Sequence, residues 1–270
     1  MKSVMLGLLA ALVVPAHAAV VVSNVVGGDI VVTDPVAVGA TGWEYGASNG
    51  GTVGIQNTYP RSGNGSVRLT TTTSSSYAEM RYSPGGSLGL LSALTGFGYD
   101  WYRFSSSTNP DVQAPAMAIT VDIDGDPTTD DIGYLIYEPV YNVGGVAMTD
   151  VWVTVGGNGG TNLWSAGAFG FVADLDGNGY AYDESLSDWH AAYGNATVTG
   201  FVAFMGSGIS GFFDGAVDNV SWTFGTANAM TTNFEVRGAG VPEPASLVLV
   251  GLGGVLAGLT SLRRRRSRLG

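Results

Sequence analysis

Short stretches that alternate apolar and polar residues recur along this chain, and they restrict it to a fold made of strands. Phe97, Tyr99, Trp101 and Arg103 share one face of the segment Phe97 to Phe104, because side chains two apart point the same way on an extended backbone. Met117, Ile119 and Val121 repeat the pattern, as do Val151, Val153 and Val155, and Gly65 to Thr70, Tyr77 to Tyr82, Gly133 to Glu138, Ala196 to Met205 and Val217 to Phe224 are further candidates. Gly, Asn, Asp or Pro separates most of these segments, and no window between the termini carries a helical stripe. With 42 glycines and only 12% charged residues, the chain is suited to tight turns between half-buried strands. The expectation is an all-β domain, an antiparallel two-sheet β-sandwich of jelly-roll-like form, in preference to a closed barrel. Cysteine is absent, so its stability must come from burial or bound metal and not from disulfides.

Both termini read as addresses. In Met1 to Ala18, Lys2 precedes the apolar run Val4 to Val14, Pro15 breaks it, and Ala16-His17-Ala18 offers small residues to a signal peptidase, as in a secretory signal cleaved after Ala18. At the other end, residues 241–270 hold Pro242, Glu243 and Pro244, then an apolar span, 245–262, then Arg263, Arg264, Arg265 and Arg266. Eighteen uncharged residues in a helix cover most of a ~30 Å hydrocarbon layer. The arginines would stay on the cytoplasmic side of the inner membrane and leave the body, 19–240, outside.

That body holds five cations, Arg61, Arg68, Arg81, Arg103 and Arg237, against twenty-one carboxylates, a net charge of −16. Such a surface repels phosphate backbones, which argues against nucleic acid as a partner, and attracts divalent cations.

Two acidic loops are the metal-like constellations. Asp122, Asp124 and Asp126 alternate in one; Asp174, Asp176 and Asn178 alternate in the other, and carboxylates so spaced on a turn can converge on calcium. The second resembles the calcium loop of EF-hand-like proteins through its fifth position, with Gly179 at the sixth. It departs from that pattern at the twelfth, where Ser185 stands and Glu184 falls one residue early. In the first, Pro127 and Gly133 occupy the glycine and glutamate positions, so Asp130 and Asp131 would have to compensate. Solvated turns and calcium sites both fit. Nucleophilic catalysis has little support, with no Cys and one His, His190, in the body. Glu44, Glu79 and Glu138 are candidate carboxylates for a glycosidase pair. Trp164, Tyr180, Tyr182 and Trp189 lie in turn-rich segments, where aromatic rings either pack or stack on sugar faces; Trp101, Trp152 and Trp222 sit in strand patterns and are expected to be wholly or partly core.

Asn195 to Phe224, with Phe213-Asp-Gly-Ala-Val-Asp-Asn-Val-Ser-Trp222, resembles the closing strands of concanavalin A-like and carbohydrate-binding-module-like sandwiches. Its Asp218-Asn219 pair between Val217 and Val220 suits a bulge. The C-terminal Pro-Glu-Pro, apolar span and arginine cluster resemble the PEP-CTERM sorting signal. That resemblance implies export, transient arrest in the inner membrane and cleavage by an exosortase near Pro-Glu-Pro. It also implies a cell-surface or extracellular product associated with exopolysaccharide and biofilm. The expected role is non-enzymatic, structural or glycan-binding, with a polysaccharide hydrolase or lyase as the alternative.

Overall fold

The computed structural model of the protein describes residues 17–126, 128–226 and 228–238. Strands are numbered in chain order. One sheet contains β1 (His17–Val26), β4 (Thr52–Gln56), β5 (Ser66–Thr71), β8 (Leu94–Arg103), β11 (Trp152–Gly157), β14 (Phe213–Phe224) and β15 (Asn228–Arg237). We call it sheet A. Sheet B runs β12 (Trp164–Gly167), β10 (Ile132–Tyr137), β9 (Ala116–Asp122), β13 (Thr197–Met205), β6 (Tyr77–Tyr82), β3 (Trp43–Ser48) and β2 (Val36–Ala37), with β7 (Gly89–Leu90) also on β13. All eight strands expected from alternation are present, and the pairings from β3–β6 to β14–β8 are antiparallel.

The sheets face each other across one apolar layer. Met117, Ile119 and Val121 of β9, Leu135 and Tyr137 of β10, and Phe201 and Ala203 of β13 meet Val67 and Leu69 of β5 and Phe97, Tyr99 and Trp101 of β8. Trp222 of β14 stacks on Phe201 of β13, centroids 4.5 Å apart and planes 9° from parallel. Burial of each such large side chain contributes roughly 1.5–3 kcal/mol, which in a cysteine-free chain carries the fold. Trp101 and Trp222 are core residues, as expected, and Trp152 is half-buried.

Sheet A forks along β14. Residues 213–217 pair with β5 and residues 220–224 with β15, while β8 lines the other edge throughout. The register slips between Asp218 and Ser221, and Asn219 there has φ +50°, so the expected bulge is real. Where neighbours change, backbone donors lose their ladder partners, and the Asp218 carboxylate replaces them by accepting N–H bonds from Ser62, Asn219 and Phe234. The loop before β5 then grips β15: the Asn64 side chain donates to Val236 O and accepts from Val236 N, and Asn64 N donates to Glu235 Oε2. Gly63 has φ +130°, a conformation that favours glycine, and a Cβ there would also displace the Glu235 carboxylate.

Among the described residues two α-helices interrupt the strand pattern, α1 (Pro139–Asn142) and α2 (Leu186–Tyr193). The second was not apparent from periodicity. It starts at a capping box, Ser185 Oγ accepting from Asp188 N while the Asp188 carboxylate accepts from Ser185 N, and it buries only Leu186 and Trp189. Two buried residues in eight make too narrow a stripe to read.

The chain divides into two units, 1–236 and 237–270; the sandwich belongs to the first, and of the second only Arg237 and Gly238 are described. Pro242, Glu243, Pro244, the apolar span 245–262 and Arg263 to Arg266 lie outside the described residues, as does residue 1–16 of the expected signal. Among the described residues, no helix is long and apolar enough to cross a membrane.

Candidate functional site

Alternation gives sheet B a second face, turned away from the core. Ala116 and Ala118 of β9, Ile136 of β10 and Val202 of β13 form a separate apolar patch there, with Phe204 and Trp164 packed on it. The alanines are too small to fill the space above them, and a groove of about 430 Å³ crosses β6, β13, β9 and β10. Its floor is Ala118, Ile136 and Val202; Tyr134 and Phe204 stand along it; Tyr77, Glu79 and Arg81 of β6 close one end.

At the other end the floor continues into an aromatic cluster. Trp164 pairs across from Ile136 and so shares its face. Its ring meets Phe171 edge-on at 5.8 Å and Tyr182 at 6.2 Å; Tyr182 stacks on Tyr141 at 4.2 Å and touches Tyr180 at 5.8 Å. Phe171 is 77% and Tyr180 53% exposed, an unusual exposure for such rings in a folded protein. Phe171 is held out by a turn in which Val172 adopts φ +54°, a costly conformation for a β-branched residue. That turn is fixed by Val172 N donating to Ser165 O, and by Ser165 Oγ donating to Gly170 O and accepting from Ala173 N.

Of the four aromatics expected from sequence, Trp164, Tyr180 and Tyr182 therefore come together beside the groove. Trp189 does not. It is fully buried, its indole N–H donating to Leu163 O, because α2 turns it inward against Phe169; it is a core residue. Phe171, Tyr141, Tyr134 and Phe204 were missed. For Tyr134 and Phe204 a signal existed, since both sit at the alternate positions of recognised strands.

The acidic end is a four-residue ion cluster. Arg81 Nη2 lies 2.7 Å from Asp34 Oδ1 and 2.8 Å from Glu79 Oε1, and its Nε lies 3.9 Å from Glu44 Oε2. Burial raises the Glu79 carboxyl to about 7, with Arg81 opposing the shift and Asp34 and Glu44 adding to it. Glu138 is not part of this cluster; burial raises it too, against the pull of the Trp164 indole N–H.

Both acidic loops gather three carboxylates, though not the expected triplets. In the first, Asp122, Asp124 and Asp131 bring oxygens within 4.8 Å of one another. Asp131 joins this group while Asp130 does not, and Asp126 instead accepts bonds from Thr128 N and Oγ1. In the second, buried Glu184 joins Asp174 and Asp176. Asn178 instead donates its amide to Asp176 and Asp183. The one-residue offset of Glu184 is absorbed because its Oε1 also accepts N–H bonds from Leu175 and Asp176. Gly177 and Gly179 N–H groups on Asp174 hold that carboxyl below its ordinary range.

Comparison with known proteins gives one family match, the PEP-CTERM protein-sorting motif, over residues 240–266. It marks the chain as an exported protein with a C-terminal sorting signal. No curated protein matches the chain. Among solved structures, the family 11 carbohydrate-binding module from Clostridium thermocellum, in complex with a β-1,3-1,4-mixed-linked tetrasaccharide, is similar at 14% identity and a TM-score of 0.41, over 76% of this chain and 99% of that one. The same module of the cellulosomal cellulase Lic26A-Cel5E gives 14% and 0.40, over 74% and 96%. The enzymatically active domain of bacteriophage CBA120 tailspike protein 4 gives 12% and 0.34, over 68% of this chain and 20% of that one.

Proposed function

We propose that the protein is an exported, non-catalytic glycan-binding sandwich whose ligand lies along the outer face of sheet B. The observation that carries this reading is the continuity of an open, apolar-floored groove with a cluster of exposed rings. A saccharide has apolar ring faces and a polar rim; the floor and Trp164, Phe171 and Tyr182 suit the first, and Thr120, Thr199 and the β6 side chains suit the second. An open groove also accepts an internal stretch of a long polymer, as an exopolysaccharide or biofilm matrix would present. In the same reading, signal peptidase removes residues 1–18, an exosortase acts on the membrane-arrested tail, and the two acidic loops hold calcium.

Replacing Phe171 and Tyr134 by alanine tests the site. Both are substantially exposed, so the double variant keeps its melting temperature while losing about tenfold or more in affinity for the polysaccharide that the parent retains, by analogy with aromatic anchors elsewhere. Unchanged retention would remove the groove from the reading. A reducing-sugar assay on the same polymer separates binding from hydrolysis: release of new ends, lost in Glu79→Gln, would favour the hydrolase.

A further inference from the structure

The groove is lined by hydroxyls and bears little charge. Tyr77, Tyr82, Ser83, Thr120, Tyr134 and Thr199 supply the hydroxyls, and each can both donate and accept. Thr199 owes its place to a bulge in β13: Val198 pairs with Val121 and Gly200 with Thr120, which leaves Thr199 as the extra residue. Glycine at 200 permits this, since a Cβ there would lie 2.4 Å from Tyr82 O. Glu79 and Arg81 are the two charged residues of the lining.

A polymer bearing carboxylates or sulfates would need a cation there. Of the five in the body, Arg61 is paired with Asp100 and Arg68 with Asp214, both acids of sheet A, and Arg237 ends β15 of the same sheet. Arg103 is 3% exposed and bonded to Asn109 and Gln113. Arg81 remains, and its charge is more than cancelled: Nη2 lies 2.7 Å from Asp34 and 2.8 Å from Glu79, and Nε lies 3.9 Å from Glu44. The group is net negative whether Glu79 is ionised or protonated. Asp34 and Glu44 do not line the groove; they bear on it through Arg81, which does. The aromatic end brings no cation either. Residues 164–185 hold Asp174, Asp176, Asp183 and Glu184 without Lys or Arg, so one calcium ion among them would leave the charge negative.

An anionic glycan in the groove would set its charges against these carboxylates in a partly desolvated site, a juxtaposition that hydroxyl contacts do not offset. An uncharged glycan meets hydroxyls along the walls and apolar side chains on the floor, and no opposing charge. We propose, on the footing that the groove binds glycans, that it takes uncharged polysaccharides and rejects those bearing carboxylates or sulfates, the rejection being set by the carboxylates that hold Arg81.

Affinity electrophoresis of the exported protein tests it, with neutral β-glucans, mannans and galactans on one side and polyuronates and sulfated galactans on the other. The retained polymers should be neutral. Oxidising the primary hydroxyls of a retained polymer to carboxylates, on the same backbone, should weaken its binding by about tenfold or more, and by less in salt of about 0.5 M. Asp34→Asn with Glu44→Gln, at side chains 43% and 33% exposed, uncovers the Arg81 charge and should recover most of the affinity lost on oxidation. Asp111→Asn with Asp150→Asn removes the same number of carboxylates away from the lining and should recover none.

Equal or tighter binding of the oxidised polymer, or retention by acidic polymers alone, would overturn the selection while leaving the groove as a glycan site, provided Phe171→Ala with Tyr134→Ala still abolishes retention. A rejection relieved equally by both pairs, or by neither, would overturn the part given to the partners of Arg81. Retention by no polymer of either set would remove both this inference and the reading on which it rests.

Discussion

Glu79 illustrates how one residue couples the groove to the stability of the sandwich. It lies on the outer face of β6 yet is almost wholly buried, and burial lifts its carboxyl from 4.5 to about 7. Between those values the folded chain holds a proton that the unfolded chain has released, so stability falls as pH rises through that window. The shift corresponds to about 3 kcal/mol as an upper figure. Asp218 works in the same direction, raised to about 6 by burial against the opposing effect of its three N–H bonds. The melting temperature is therefore expected to be higher near pH 5 than near pH 8, with a smaller difference in Glu79→Gln; an equal pH difference in the variant would show that Glu79 does not carry the effect. The charge pattern of β6 was legible from the sequence, as was the face that Glu79 occupies. Its burial was not, because that depends on Arg81, Asp34 and Glu44 converging from three different segments.

At the scale of elements, alternation read the long central strands correctly because each has one face in the core and one outside it. Short or uniform elements escaped, and so did the longer β1, β3 and β15. β2 and β7 have two residues each, too few to show a period, and β4, with three consecutive buried residues, Val53, Gly54 and Ile55, gives no alternation to follow. The aromatic cluster was half legible: turn composition located Trp164, Tyr180 and Tyr182, but the same composition concealed a capped helix and so misplaced Trp189. In the acidic loops spacing located two of three carboxylates in each group, while the third depended on how the chain returned. If these groups hold calcium, excess calcium should raise the melting temperature relative to chelator, by mass action on the folded state. Asp176→Asn together with Asp124→Asn should abolish the rise, and an unchanged melting temperature in the parent would leave both loops as hydrogen-bonded turns.

For the molecule as a whole, the decisive contrast lies between its ends and its body. The basic residues of the termini offset part of the acidity, and a product cut at both ends, as proposed above, would carry a net charge of −16 with a groove whose one cation is already shared. Intact mass of the secreted protein, with and without exosortase, is expected to differ by the segment beyond the Pro-Glu-Pro motif, and both masses should lack residues 1–18; a tail retained in both would defeat the processing scheme. In the proposed scheme, tension on the tail before the cut would enter the chain at Arg237, the end of β15. The load does not fall first on the β14–β15 ladder, because Asn64 ties both backbone groups of Val236 to the loop before β5 and Glu235 is bonded to the backbone of the same loop. At the fork in sheet A, a pull on the end of β15 would therefore be divided between the β14 ladder and the loop before β5.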